Sequence, residues 1–592
     1  MTKQIVLKPE SFLDPRGKPK DRPPELADRL ASLKGKQILL LDNGQLTVEY
    51  RLYGMVFDIL EEFLKQKHGV KACPRMRDEL LQGGKERMKD VAASILKRKA
   101  DGVVLALSHA GVTQPSVILA SHLERAGLPV VMICTGLGGP LAAVTAQSYV
   151  PGLPLISIRP SVEDTKEVVR EKTEQILKEI IDGLTLSKAE LNKRFQSRMP
   201  AGKGALKATR RGELELKAEA IVAATEDSKG RPTGAVDPSR FTEELYEELC
   251  ASDMCDGFPV IAPTRERVDR MLRFTDRSPQ HALVDECPPS GASITIEKLA
   301  INAVMAGCKP EYFPIVVTAF EAMAEPRYRL FQGCITTHPS GNAVVVSGPL
   351  AKELGIQSGP GCLGPGFRAN ATIGRALTLC MFNICRAIPA RSDLSVFGSP
   401  AEYSYCFAES DEDNPWLPFH TELCDAETTT VTVHKAEGPQ NVINALGANP
   451  EGLVASIASQ AATLAGNNYC WPCELIVILN PTHARVFAQA GWSKEDIKLA
   501  LFDQARNPVE PIKGGRGIPP AWPAWFRSSE WVPVVHVPDE VLIFVAGGMG
   551  PHSMVCKPWG LARLVTKPVT FKDGRPVRSV ADFNPSRSKG RR

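Results

Sequence analysis

Two rhythms of apolar and polar positions alternate through the first third of the chain. Short continuous apolar runs at residues 37–41, 103–107, 130–134 and 155–158 read as buried strands. Amphipathic spacing at 52–65 and 85–97 reads as helix, as does the stretch ending at Arg125. Val169, Ile176, Leu177, Ile180 and Leu184 place a closing helix over 162–184. Strands that alternate with helices predict a parallel sheet covered on both faces. Residues 31–185 are therefore expected to form a flavodoxin- or Rossmann-like α/β unit.

The rhythm breaks over 186–238, which is basic and rich in turn formers and reads as a polar linker. Residues 1–30 read as a tail, and so do 566–592. Between them, 239–565 reads as a larger mixed α/β domain. Apolar runs at 258–262, 343–347 and 475–479 each lead into a proline-containing turn and a helix, with Thr264 and Thr482 as good N-caps. Internal duplication and ordinary strand-to-helix chemistry both account for this recurrence. Helices are expected at 299–306 and 313–324, joined through Gly307 and Pro310, and again at 371–386 and 451–464.

Bulk properties exclude several classes. The 592 residues are 43% hydrophobic and 23% charged, with a formal charge of +4, too small for this length to imply a nucleic-acid or membrane partner. The first residues lack the apolar core of a secretion signal, and no run approaches the ~20 apolar residues that span a bilayer. Fifteen irregularly spaced cysteines then read as reduced thiols in a cytoplasmic protein. A homo-oligomer is left open, and no cofactor is indicated.

Three places concentrate candidate chemistry. Strand 103–107 runs into a polar turn with Ser108, His109 and Thr113, and ligands in parallel sheets bind at such strand ends. A glycine-rich loop with Gly364 and Gly366 opens a helix carrying Arg368, Asn370 and Arg375, a composition suited to a carboxylate or phosphate. Next, Cys406, Glu409, Trp416 and His420 fall within fifteen residues. There Cys406 could act as nucleophile while Glu409 and His420 move protons. Lesser candidates are His338, the glycine-rich strand exit at 546–553, and the Cys470-x-x-Cys473 pair. That pair precedes a strand, the wrong context for a redox dithiol.

The segment 109–135 resembles the part of UGSC-type (seleno)proteins that holds their selenocysteine or cysteine. More distantly it is similar to the selenoprotein subunit of the glycine and proline reductases. Glu124-Arg125-Ala126-Gly127-Leu128-Pro129 matches the tail of the family motif, and counting back from it puts the reactive position on His109. The family's two further cysteines fall on Val112 and Pro115, so its redox residues are absent. The motifs at 255–260, 303–308, 364–375, 406–409 and 490–493 resemble the large domain that accompanies UGSC-like domains. The resemblance implies an enzyme acting on a small anionic metabolite by carbon–sulfur, carbon–nitrogen or thiol redox chemistry, an oxidoreductase or lyase of specialised biosynthesis. Its rivals are a partner subunit with a degenerate UGSC-like domain and a thiol or metal carrier.

Overall fold

The computed structural model describes residues 4–6, 11–17, 25–43, 50–78, 85–106, 110–134, 138–159, 164–196, 207–208, 213–215, 221–223, 238–444, 449–464, 466–513, 526 and 528–583. Ser108 and His109, two of the expected site residues, lie outside them.

The chain is an α/β protein whose N-terminal domain alternates strand and helix. Its elements are β1 (Ile38–Asp42), α1 (Tyr50–His68), β2 (Arg75–Arg77), α2 (Lys85–Leu96), β3 (Gly102–Ala106), α3 (Ala110–Arg125), β4 (Val130–Cys134), α4 (Gly138–Tyr149), β5 (Leu155–Ser157) and α5 (Lys166–Thr185). The sheet runs β2-β1-β3-β4-β5 with every pair parallel, a doubly wound order. Alternate residues of β1 serve opposite faces. Leu39 and Leu41 pack under α2, α3 and α4, whereas Ile38 and Leu40 pack under α1 and α5. Burial on both faces explains why β3 and β4 are apolar throughout.

One boundary differs from the sequence expectation. Helix α3 begins at Ala110 and runs through Pro115, so most of the expected turn at 108–116 is helical. Proline inside a helix costs about 3 kcal/mol. Val112, Val117, Leu119 and Leu123 are fully buried by this arrangement, each worth about 1.5–3 kcal/mol, and together they outweigh that cost. The family-like tail also has a structural role. Buried Glu124 accepts from the backbone of Ala27 (2.7 Å) and Val130 (2.6 Å) and from Arg29 Nη1 (2.9 Å). Gly127 then turns the chain at φ +84° toward β4.

The large domain contains α6 (Ile296–Ala306), α7 (Phe313–Met323), β6 (Gly341–Ser347), α8 (Arg368–Cys380), β7 (Cys406–Ala408), β8 (Thr430–Ala436), β9 (Gln440–Ile443), α9 (Pro450–Ala461), β10 (Leu475–Leu479), α10 (Pro481–Gln489), α11 (Lys494–Gln504), β11 (Val541–Val545), β12 (His552–Cys556) and β13 (Val565–Pro568). Two four-stranded sheets, β7-β6-β8-β13 and β9-β12-β10-β11, face each other. Ala343, Val345 and Ala436 of the first meet Ile476, Ile478 and Phe544 of the second. On the outer faces, Val344, Val346, Val431 and Val433 pack under α6, α7 and α8, and Val477, Leu479 and Ile543 pack under α9, α10 and α11. The result is four layers, helix–sheet–sheet–helix.

Both sheets share one connectivity. A strand (β6 or β10) leads through helices to a parallel neighbour (β7 or β11), then to an antiparallel one (β8 or β12). The next strand crosses to the opposite sheet, so that β9 pairs with β12 and β13 with β8. In register, Val344 opposite Val433 corresponds to Val477 opposite Val555. Lys435 and Lys557, each two residues further on, therefore occupy equivalent places, and both are buried.

The N-terminal arm ties the halves together. Ser11–Leu13 pairs with Glu213–Glu215, while Phe12 and Leu13 are buried in the helix-side core of the large domain. Asn302 donates to the Pro15 carbonyl at 3.2 Å. Packing continues past residue 565, because β13, Val569 and Val577 complete the same core. Among the described residues no helix is long and apolar enough to cross a membrane.

Candidate functional site

A cavity of about 850 Å³ opens in the large domain on the helix side of the first sheet. Lys435 reaches it because it shares the parity of Val431 and Val433 on β8, the side that faces the helices. Its Nζ donates to Asn342 Oδ1 at 3.4 Å and forms no ion pair among the described residues. Asn342 is fixed in turn, since it accepts from the Tyr328 hydroxyl at 2.8 Å and its amide contacts the Met381 sulfur at 3.1 Å. Burial pushes the Lys435 amine below the ordinary lysine range, partly opposed by the charges of Asp393, Cys334 and Glu402.

The opposite wall is the segment 393–403. Asp393 and Glu402 line the cavity, and burial raises both carboxyls. The Ser395 backbone N–H donates to Asp393 Oδ1 at 3.0 Å and its hydroxyl donates to Glu402 Oε1 at 3.3 Å. The short helix Pro400–Glu402 can lie against β6 only because Gly341 is there, since a Cβ would come within 2.2 Å of the Ala401 carbonyl oxygen. His338 closes one side and contacts Glu437 Oε1 at 3.1 Å. Phe397 stands 93% exposed at the rim. The cavity thus combines apolar lining with a few convergent polar groups, as ligand sites do.

A second constellation joins two residues that the sequence placed together. Glu409, just beyond β7, and His420 meet through Ser347 at the end of β6. The Ser347 hydroxyl donates to Glu409 Oε2 and lies 3.1 Å from His420 Nδ1. Burial raises the Glu409 carboxyl to about 7, opposed by Lys494, whose Nζ is 3.8 Å away. Asn414 and the Phe419 backbone N–H also donate to this carboxyl, at 3.0 and 2.8 Å. His420 Nε2 faces the Ala426 carbonyl at 3.2 Å, so that nitrogen carries hydrogen. Two proton arrangements satisfy the chain. Protonated Glu409 donates to Ser347, which donates to neutral His420; or ionised Glu409 accepts from Ser347, which accepts from charged His420. Passing a proton along it leaves the net charge unchanged.

The remaining expected residues are spread over other surroundings. Cys406 points into the helix-side core, where burial pushes its thiol far above the usual range. Arg375 forms a bidentate pair with Asp256 (2.7 Å each) and also holds the carbonyls of Phe258 and Pro259. Arg368 Nε donates to the Gly307 carbonyl at the end of α6 (2.9 Å). Asn370 bonds Gln357 in both directions, 2.8 and 2.9 Å, and holds the Cys362 carbonyl. Gly364 closes a turn onto Gly361, and Gly366 adopts φ +115° just before α8. The glycine-rich exit at 546–548 meets this same loop, with Gly547 N donating to the Ser358 carbonyl at 2.7 Å. Trp416 Nε1 donates to the Trp492 carbonyl at 3.0 Å. Thr113 is fully buried in α3 beside Gln114 and Ser116, whose Nε2 and Oγ have no hydrogen-bond partner among the described residues.

Sequence reasoning missed Lys435, Asp393, Glu402 and Ser347. The available signal for Lys435 was its parity, because in 430–436 it falls on the side of Val431 and Val433.

With this geometry in place, comparison with known proteins adds one result. Residues 11–186 match the UGSC family, so the arm and the doubly wound domain together form a UGSC-like domain. No curated protein matches the chain.

Proposed function

We propose that this chain is an enzyme acting on a small carbonyl-bearing metabolite held in the Lys435 cavity. In this reading Lys435 is the amine nucleophile. Its lone pair attacks the carbonyl carbon, the carbonyl oxygen leaves as water, and an imine links substrate to Nζ. A nearby carboxyl whose proton affinity burial raises, Asp393 or Glu402, passes the leaving oxygen a proton and recovers one from the amine. The observation that carries the reading is a buried lysine at a cavity wall, held by one amide oxygen and, among the described residues, no ion pair, with its amine pushed toward the neutral form. The expected carbon–nitrogen chemistry on a small anionic metabolite, in a cytoplasmic setting of specialised biosynthesis, is retained when the substrate is an α-keto acid. A kinship of the UGSC-like domain with the reductase selenoprotein subunit belongs to the same proposal.

Glyoxylate with cyanoborohydride, followed by peptide mass spectrometry, tests it. The expected result is reductive alkylation of Lys435 at lower glyoxylate than at exposed lysines, with none at that position in Lys435→Met. Labelling of exposed lysines while Lys435 stays unmodified overturns it.

A further inference from the structure

Beyond that reading, we propose a zinc-class metal site formed by His434, Cys473 and Glu474. His434 is next to Lys435 on β8 but points to the opposite face of the sheet, toward the segment that opens β10. A ring nitrogen of His434, the Cys473 sulfur and a Glu474 carboxylate oxygen all lie within 4.8 Å of one another, and all three residues are buried. Imidazole, thiolate and carboxylate are the donors that zinc takes.

The second observation is the state of the imidazole. His434 Nε2 lies 2.8 Å from the Glu474 backbone carbonyl. A carbonyl only accepts, so Nε2 carries the hydrogen, and burial disfavours the charged ring. The lone pair is therefore on Nδ1, and Nδ1 has no hydrogen-bond partner among the described residues. Leaving such a group buried and unsatisfied is unfavourable. An N–H donated to a backbone carbonyl while the other nitrogen stays open is also how proteins orient a metal-binding histidine. A packing role for these residues accounts for the thiol–carboxylate contact but not for the open nitrogen.

The charges fit a divalent ion. Without metal, Cys473 donates its S–H to Glu474 Oε2 at 2.7 Å. On binding, that proton leaves to solvent, and thiolate and carboxylate neutralise the two positive charges. Burial pushes the Cys473 thiol up, and Arg563 Nη1, 3.5 Å from the sulfur and 3.3 Å from Glu474 Oε2, opposes that rise. Glu474 also lines a cleft of about 620 Å³ with Arg327, Arg563, Lys494 and Lys498. A fourth ligand, water or an anion, can enter from there.

The test is titration of chelator-treated full-length protein with cobalt(II) chloride, then competition with zinc chloride. About one equivalent is expected to bind, with intense four-coordinate visible absorption, a sulfur-to-cobalt charge-transfer band and release of about one proton. Zinc should displace it. Cys473→Ser should abolish the charge-transfer band, and His434→Gln should weaken cobalt binding at least about tenfold. Circular dichroism and a thermal melt check folding of each variant, and where Cys473→Ser fails to fold, Glu474→Gln carries the same tenfold expectation. No stoichiometric cobalt spectrum, or one unchanged in the folded variants, overturns the site.

Discussion

Glu409 shows what burial does to one carboxyl. Its proton stays on to about 7, so between pH ~4.5 and 7 the folded chain holds a proton that the unfolded chain releases. Folded-state affinity for that proton is the higher one, so the associated stability is complete below about 4.5 and is lost as pH rises through 7. The shift is worth on the order of 3 kcal/mol. Urea unfolding followed from pH 4.5 to 7.5 should show this decline in the native protein and a flatter profile in Glu409→Gln. Equal slopes would mean that the carboxyl titrates normally. Lys435 carries the opposite burden, since burial with no ion pair among the described residues disfavours its charge. Lys435→Met fills the same space without that penalty and should raise stability by about 1 kcal/mol or more while removing any carbonyl labelling. A marked loss of stability would indicate that the ammonium is paired.

At the level of elements, the start of α8 answers a question that the sequence left open. A glycine-rich loop followed by two arginines suits an anion, but here Arg375 is bound to Asp256, 119 positions away. Nothing in local spacing shows such a partner. Asp256→Asn leaves a mostly buried guanidinium without its counter-charge and should cost about 3 kcal/mol in urea unfolding. Unchanged stability would return Arg375 to the list of ligand-binding groups. The alternating elements of the first domain were legible because continuous apolar runs and 3.6-residue spacing are local signals, as in 103–134. Glu409 and His420 were legible as neighbours because one short loop carries both. Ser347 joins them from a different strand, and Lys435 meets Asn342, Asp393 and Glu402 at a separate cavity from distant parts of the chain, which sequence proximity does not reveal. The exchange of β9 and β13 between sheets is likewise a property of packing, and only the recurring strand–proline–helix pattern hinted at it.

Across the whole molecule, the arm at 11–17 is a working part of the large domain. Phe12 lies in the core that contains α6 and α8, although it precedes the UGSC-like sheet in sequence. Phe12→Ala should lose about 3 kcal/mol. Hydrogen exchange should then quicken at α6 amides and leave β3 and β4 protected; faster exchange confined to the first sheet would place the arm differently. The large domain thus presents two chemistries back to back on β8, an amine toward the helices and an imidazole toward the second sheet. The amine is the centre of the functional reading, and its proton affinity can be measured without knowing the substrate. Trace acetylation of all lysines across a pH series, read by peptide mass spectrometry, gives each amine its own titration. Lys435 should become reactive with a midpoint below the ~10.4 of an ordinary lysine, whereas a midpoint matching exposed lysines, or no reaction at any pH, would contradict the account.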